Sequence, residues 1–341
     1  MRYARLVLVT VVMTLLALSV TSTAPSTVSA QDEGAPLRVA MLLPGRIDDG
    51  GFMEAGYNGL LMIEEELGAD IRYIDQVAPE PEQLTTALRL LAMAKPDLII
   101  AHGGQNSAAA AEVAPEFPDV RFVVVQGNVT GDNLSSYEVL QEQSTWLAGA
   151  AAGLLTESNV VGHISGIEVT PGLKGRAAFF AGLRTTNPDA RFLTTFSGNQ
   201  DDAALNREVA EAQIAEGADI IFTMLNAGRI GVIEAGQEHN VWQIGNVRDW
   251  YEVHPDIFVA SAIANVSMAA LHAAQDVASG EWEPGVIVKI GIEDANAVRL
   301  ALSPEVPAEV SAELDKLAAQ LAAGEIEVPT EYEGEDFVPG P

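Results

Sequence analysis

A polar loop close to the amino terminus carries the side chains with the clearest capacity for chemistry. Asp48 and Asp49 stand together after an apolar run, and Gly50, Gly51 and Phe52 follow at once. The carboxylates could accept hydrogen bonds from ligand hydroxyls or bind an amine, and the ring could stack on an aromatic ligand. Glycine would let the backbone approach that ligand. The alternative is that the carboxylates only cap a helix and the ring only packs in the core. We favour a ligand role for at least one aspartate.

A second polar segment follows the apolar run that ends at residue 101. It contains His102, Gly103, Gln105 and Asn106, and a helical pattern begins directly after it. Backbone N–H groups at such a position can hold an acceptor, while the two amide side chains offer both donors and acceptors. The segment is a candidate ligand-binding loop, and an ordinary turn between a strand and a helix is the alternative.

Two further segments complete the candidate site. Asn226, Gly228 and Arg229 follow an apolar run in the second half of the chain, and Asp249 and Trp250 follow another. An arginine there could bind a carboxylate or phosphate through two hydrogen bonds, although a surface ion pair is the more common role. The tryptophan could form a second aromatic wall or could pack at a hinge.

Several kinds of catalytic or metal chemistry lack the residues they need. The chain has no cysteine, which excludes disulfides, thiolate metal sites and a cysteine nucleophile. No two of the five histidines have the spacing of metal ligands, and no acid–base or nucleophile constellation is present. The sequence therefore predicts no enzyme, no metal site and no cofactor.

The first thirty residues have the pattern of a secretory signal peptide. A short basic head contains Arg2 and Arg5, an apolar run spans residues 6–20, and small residues lead to Ala30. An uncleaved membrane anchor is the alternative. Since no cysteine is available for lipid attachment, we expect a periplasmic or extracellular protein.

The charge balance argues against several partners. Residues 1–30 include the basic residues Arg2 and Arg5 and no acidic residue. Without this segment the chain has 16 basic and 48 acidic residues, which gives a net formal charge of about −32. Such a surface repels nucleic acid and anionic lipid. The remaining 310 or so residues exceed what one core usually supports. We therefore expect two lobes in a monomer.

Short apolar runs alternate with amphipathic stretches along the whole chain, which predicts an α/β fold with parallel sheets. Polar breaks at residues 126–136, 245–250 and 281–285 suggest three crossings between two Rossmann-like lobes, and thus a three-strand hinge. We assign residues 37–130 and 249–282 to the first lobe and residues 131–248 and 283–329 to the second. A helix is expected over residues 137–155, and residues 330–341 are expected to form a mobile acidic tail.

The order of these elements and four local motifs resemble the basic membrane protein family, the PnrA-like substrate-binding proteins of ABC transporters. The similarity spans about residues 37–329. The motifs that carry it are Asp48-Asp49-Gly50-Gly51-Phe52, Glu142-Gln143-Ser144-Thr145-Trp146-Leu147-Ala148-Gly149, Phe180-Ala181-Gly182-Leu183 with Asn187-Pro188-Asp189-Ala190, and Gly217-Ala218-Asp219-Ile220-Ile221 leading to Asn226-Ala227-Gly228.

The resemblance implies a type I periplasmic binding fold and a function in solute import. It implies that the lobes close like a hinge on a small polar, aromatic solute, which is then delivered to an ABC permease in the membrane. Nucleosides, nucleobases and related heterocycles are the ligand classes it suggests. Met53 occupies a position where nucleoside-binding members usually have asparagine. Those members also have an aspartate-rich segment near the second crossing, and in this chain only Asp249 clearly corresponds to it. A secreted α/β enzyme that uses Asp48 and Asp49, or an extracellular ligand sensor, would be the alternative functions.

Overall fold

A computed structural model describes residues 35–340 of the chain. The predicted signal peptide, residues 1–30, lies outside the described residues. Within residues 35–340 no helix is both long and apolar enough to cross a membrane.

The first sheet has six strands in the order β11-β5-β4-β3-β1-β2, and every pairing in it is parallel. Its central strands are continuous apolar runs, as expected for a sheet that is covered on both faces. The strands are β1 Arg38–Leu42, β2 Asp70–Ile74, β3 Leu98–His102, β4 Arg121–Val125, β5 Leu134–Val139 and β11 Ile287–Ile290.

The second sheet also has six strands, in the order β12-β10-β9-β8-β6-β7. Strand β12 runs antiparallel to β10, and the other pairings are parallel. The strands are β6 Val160–Ser165, β7 Arg191–Phe196, β8 Ile220–Met224, β9 Trp242–Val247, β10 Phe258–Ala264 and β12 Val298–Leu302.

Helices cover both faces of each sheet and build its core. Helices α1 and α8 pack on one face of the first sheet, and α2 and α3 pack on the other. Helices α4, α5 and α9 lie on one side of the second sheet, with α6 and α7 on the opposite side. The helices are α1 Phe52–Leu67, α2 Pro81–Met93, α3 Ser107–Val113, α4 Gln141–Leu155, α5 Thr170–Thr186, α6 Ala203–Ala215, α7 Arg229–His239, α8 Ser267–Ser279 and α9 Ala308–Ala322.

The chain passes between the sheets three times, but at positions that differ from the predicted crossings. The passages lie between β5 and α4, between β10 and α8, and between β11 and β12. The strand at residues 134–139 therefore belongs to the first sheet, and the strand at residues 258–264 to the second. Both assignments differ from the lobe boundaries expected from sequence, and so does that of β11, which lies in the first sheet although residues 283–329 are assigned to the second lobe.

The sequence pattern does not predict strand β5, because the strand contains two serines. Ser135 and Ser136 make the segment look like a polar linker, and Tyr137 was expected to begin a helix. In the structure both serines are fully buried. Their hydroxyls donate to the carbonyls of Glu283 at 2.6 Å and Val129 at 2.7 Å, which satisfies them inside the fold.

The carboxyl-terminal tail lies against the second sheet, whereas a mobile segment was expected. The backbone N–H of Phe337 donates to Thr194 O at 2.7 Å, and Thr195 Oγ1 donates to Phe337 O at 2.8 Å. Tyr332 packs against the rings of Phe180 and Phe192. The tail thus covers β7, which is one of the two edge strands of its sheet.

Candidate functional site

The loop before α1 and the loop after β8 meet across the gap between the two sheets. A Cβ atom added to Gly51 would lie 2.6 Å from Asn226 Oδ1, so the two loops are in direct contact. The backbone N–H of Asn226 donates to Gln200 O at 3.1 Å. Gly228 is buried against the same Gln200 carbonyl. The candidate residues Gly51 and Asn226 are therefore brought together, one from each lobe.

Beside this contact lies a cavity of about 250 Å³, which we call the interlobe cavity. The first lobe supplies the amino-terminal turns of α1 and the start of α8, and the second lobe supplies the ends of β9 and β10 together with β12. The residues that line it are Gly50, Gly51, Glu54, Ala55, Asn58, Val247, Arg248, Asp249, Glu252, Ile263, Asn265, Ser267 and Arg299.

The two adjacent aspartates have different environments. Asp48 is largely exposed and pairs with Arg46, whose Nε lies 2.8 Å from Asp48 Oδ1. Asp49 is partly buried and accepts the backbone N–H groups of Gly51 at 2.8 Å, Met53 at 3.2 Å and Glu54 at 3.0 Å. Burial raises the pKa of Asp49, while these hydrogen bonds act in the opposite direction. The observed bonds of Asp49 are those of a helix cap, and a ligand role for either carboxylate stays a prediction.

Phe52 packs on a buried histidine. The ring centroids of Phe52 and His102 lie 4.2 Å apart, and His102 Nε2 lies 2.8 Å from Phe52 O. A carbonyl oxygen can only accept, so Nε2 carries the hydrogen. Burial lowers the pKa of His102 to about 4, which keeps the ring neutral near pH 7. One face of Phe52 is thus occupied by protein, and the ring also packs against the core of the first lobe.

The rest of the segment after β3 forms a tight turn outside the cavity lining. Gly103 has φ of 101°, a value that favours glycine. Asn106 is fully buried, and its Nδ2 donates to His102 O at 2.8 Å and to Gly103 O at 3.2 Å. Gln105 is exposed. The alternative interpretation, an ordinary turn between a strand and a helix, describes the observed contacts of this segment.

Arg229 is neither a free anion receptor nor a surface ion pair. Its side chain is buried, with 2% of the residue exposed. The guanidinium donates to Thr223 O at 3.1 Å and Leu225 O at 2.6 Å, and it also contacts Thr223 Oγ1 and Asn246 Oδ1. Burial, together with nearby Arg248, lowers its pKa to about 9, so it remains a cation at neutral pH. Arg229 therefore fixes the ends of β8 and β9.

Two arginine side chains lie over the ring of Trp250. The Cζ atoms of Arg229 and Arg248 each lie 4.4 Å from the ring centroid. The indole N–H donates to Asn246 O at 2.9 Å, and the ring stacks on Phe258. Trp250 is buried among residues of the second lobe and is absent from the cavity lining. Asp249 does line the cavity, where its carboxylate accepts the Tyr251 N–H at 3.0 Å.

The backbone is strained where β9 reaches the cavity. Val247 has φ of 72°, an unfavourable value for a β-branched residue. Arg248 N–H donates to Asn246 O at 2.9 Å across this residue, as in a strained γ-turn. Such strain tends to occur at functional sites, and here it sets the position of Arg248 beside the cavity.

Several cavity residues were not among the sequence candidates. Asn265 directly follows β10, so the rule that strand ends form the site would have identified it. Glu54 and Asn58 lie four residues apart on α1, a spacing that places them on one helix face. No sequence pattern pointed to Arg299, because β12 is not predicted as a strand and the rule on strand ends could not be applied to it. Within residues 35–340, no cluster of three acidic or histidine side chains could hold a metal ion.

Comparisons with known proteins agree with this architecture. The family described as ABC transporter substrate-binding protein PnrA-like (Bmp) matches residues 37–332. The "Transcriptional activator protein med" of Bacillus subtilis is 26% identical over 248 residues, which cover 73% of this chain and 77% of the relative. A purine-binding protein of Brucella abortus is 23% identical over 85% of this chain and 82% of its own length.

A solved structure gives the same result for the fold. An ABC transporter solute-binding protein from Aeropyrum pernix K1 superposes with a TM-score of 0.76 at 19% identity, over 87% of this chain and 95% of that chain. The predicted α/β fold of the type I periplasmic binding protein kind is thereby confirmed. With the family match extending over nearly all of the described residues, the chain belongs to the PnrA-like (Bmp) family of ABC transporter substrate-binding proteins, which are not enzymes.

Proposed function

We propose that this protein binds a small polar, aromatic solute outside the cytoplasm and delivers it to an ABC permease by hinge closure. Nucleosides, nucleobases and related heterocycles are the ligand classes we propose. Membership of the family supplies the general role. The purine-binding relative supports the choice of ligand class.

The observation that carries the proposal is the interlobe cavity. One wall comes from α1 and α8 in the first lobe, and the other comes from the ends of β9 and β10 in the second. A ligand held there touches both lobes, so its binding energy favours the arrangement in which they meet. The polar side chains of Asn58, Asp249 and Asn265 converge on the cavity and offer hydrogen bonds to hydroxyl and amino groups.

The direct test is calorimetric titration with purine nucleosides, nucleobases and flavins. We expect one ligand per chain with a dissociation constant of about 1 µM or tighter, which corresponds to about −8 kcal/mol. Asp249→Asn removes a cavity charge and should weaken binding at least ~10-fold, because a charge-assisted hydrogen bond is lost.

Asp256→Asn is the matched control. Asp256 lies in the same segment between β9 and β10, but it accepts from Gln237 Nε2 at 2.8 Å and is absent from the cavity lining. The control should bind as the unmodified protein does. If no member of the panel bound, the proposed ligand class would be wrong. Equal losses in both variants would place the site elsewhere.

A further inference from the structure

Two arginines without ion-pair partners line the interlobe cavity. The chain has only 18 lysines and arginines against 48 acidic residues. In the described part of the chain, neither Arg248 nor Arg299 has a carboxylate oxygen within 4.0 Å, whereas arginines such as Arg38 and Arg89 do. Arg299 donates only to the backbone oxygen of Ala295, at 3.2 Å. Both side chains are exposed, so their charged groups are accessible to a solute.

A third cation, Arg229, lies on the same tryptophan ring as Arg248. Arg229 is buried, and its contacts are with the neutral oxygens of residues 223, 225 and 246 rather than with a carboxylate. Its Nε has no partner among the described residues. Because it shares the ring of Trp250 with Arg248, this uncompensated charge lies close to the cavity. A buried charge is poorly screened, so it adds to the positive potential there.

Acidic side chains also reach the cavity, but two of them have backbone donors. Glu54 Oε2 accepts the Gly50 N–H at 2.9 Å, and Asp249 Oδ1 accepts the Tyr251 N–H at 3.0 Å. Glu252 is exposed. The arginines lie on β12 and at the end of β9, whereas Glu54 lies on α1. Glu54 therefore comes from the other wall, whereas Asp249 and Glu252 lie on the same segment as Arg248.

We propose that the solute carries an anionic group, a carboxylate or a phosphate, which Arg248 and Arg299 bind. Guanidinium groups suit both anions, since each can be held by two parallel hydrogen bonds. The opposite wall, with Glu54 and Asn58, would receive hydroxyl or amino donors of the same molecule. The inference rests on the proposed solute-binding function and narrows its ligand class.

The test compares neutral and anionic probes on the full-length protein. Calorimetric titrations use adenosine and inosine as neutral probes, their 5′-monophosphates as phosphate probes, and nicotinate and orotate as carboxylate probes. We expect an anionic probe to bind at least ~10-fold more tightly than the neutral probes. Arg248→Gln and Arg299→Gln should each weaken its binding ~10- to 100-fold and should reduce the salt dependence of the dissociation constant.

Arg184→Gln is the matched control, because Arg184 is exposed on α5 and lies outside the cavity lining. It should bind as the unmodified protein does, and melting temperatures of all three variants report whether they fold. Tight binding of neutral probes alone would overturn the anion inference and leave the proposed function standing. Binding of no probe would overturn the anion inference, and if the nucleobases and flavins also failed to bind, the proposed function would fall with it. Affinity for an anion that neither cavity substitution reduces would also overturn the inference.

Discussion

At the residue scale, a neutral histidine at the end of β3 donates to the first residue of α1. His102 links β3 to Phe52 through one hydrogen bond and one ring contact. Burial lowers its pKa from 6.5 to about 4. The unfolded chain therefore binds a proton in a pH range where the folded chain does not.

This difference predicts a loss of stability in mild acid. The contribution is complete above pH 6.5 and is lost as the pH falls toward 4, by about 1.4 kcal/mol per pH unit. His102→Gln keeps a donor near Phe52 O but removes the titration. Between pH 7 and pH 5 the variant should lose about 2 kcal/mol less than the unmodified protein. Urea unfolding at the two pH values measures this, and identical losses would contradict it.

A second residue-scale prediction concerns Phe52, which packs on His102 and whose ring the sequence offers for stacking on an aromatic ligand. Phe52→Leu keeps an apolar side chain in the core and removes the ring. If the ring stacks on the solute, the dissociation constant should rise about 3- to 10-fold, since aromatic pairs add ~0.5–1.5 kcal/mol. Calorimetry gives the affinity, and the melting temperature gives the packing cost. A lower melting temperature with unchanged affinity would assign Phe52 to the core alone.

The sequence indicated which loops form the candidate site better than it indicated what each side chain does. The rule that sites form at strand ends selected Gly51, Asn226 and Asp249, and the first two touch across the lobes. The same rule could not foresee that Arg229 would be buried. Its burial depends on acceptors from β8 and on Asn246 of β9, which only the folded sheet brings together.

At the element scale, continuous apolar runs predicted the central strands. Strands that mix polar and apolar residues were not recognised. Strand β3 is fully buried and was predicted within one residue of its observed end. Strand β5 contains two serines whose buried partners are distant in sequence. Strand β12 pairs antiparallel at a sheet edge and carries Arg299, so its pattern lacks the apolar continuity of the parallel strands.

The tail against β7 leads to a prediction at this scale. A chain that ends at Pro329 loses the contacts of Tyr332 and Phe337 and exposes the edge of the second sheet. We expect about 3 kcal/mol less stability, because two large aromatic side chains lose their partial burial. We also expect concentration-dependent association, since an uncovered edge strand can pair with another copy.

Urea unfolding and size-exclusion chromatography measure the two effects. A chain that lacks only residues 339–341 is the control, since it keeps both aromatic side chains, and it should remain as stable as the unmodified protein. If the chain that ends at Pro329 unfolded at the same urea concentration and remained monomeric, the tail would have no role in covering β7.

At the scale of the whole molecule, an ion pair joins the two lobes away from the cavity. Lys174 of α5 lies 2.5 Å from Glu138 of β5, and 3.6 Å from Glu142 of α4. Both side chains of the first pair are mostly buried, with 25% and 18% exposed. Burial weakens the screening of this attraction by solvent, so the pair holds the two lobes in their observed arrangement.

Loss of that pair should shift the lobes toward an open form. Glu138→Gln should weaken solute binding about 5-fold, because a coupling of ~1 kcal/mol is removed from the closed state. Small-angle scattering should show a larger radius of gyration without solute. Asp97→Asn breaks the pair with Arg38 within the first lobe, and it should change neither quantity. Equal effects of the two substitutions would remove the interlobe pair from the closure mechanism.

The central claim is that the interlobe cavity holds the solute, and native mass spectrometry of the purified protein tests it most directly. Asn58→Trp fills the cavity from α1, while Glu65→Trp adds the same ring to an exposed position on the same helix, outside the cavity lining. We predict one small molecule per chain in the unmodified protein and in Glu65→Trp, and none in Asn58→Trp. An adduct that survives Asn58→Trp at full occupancy would contradict the account.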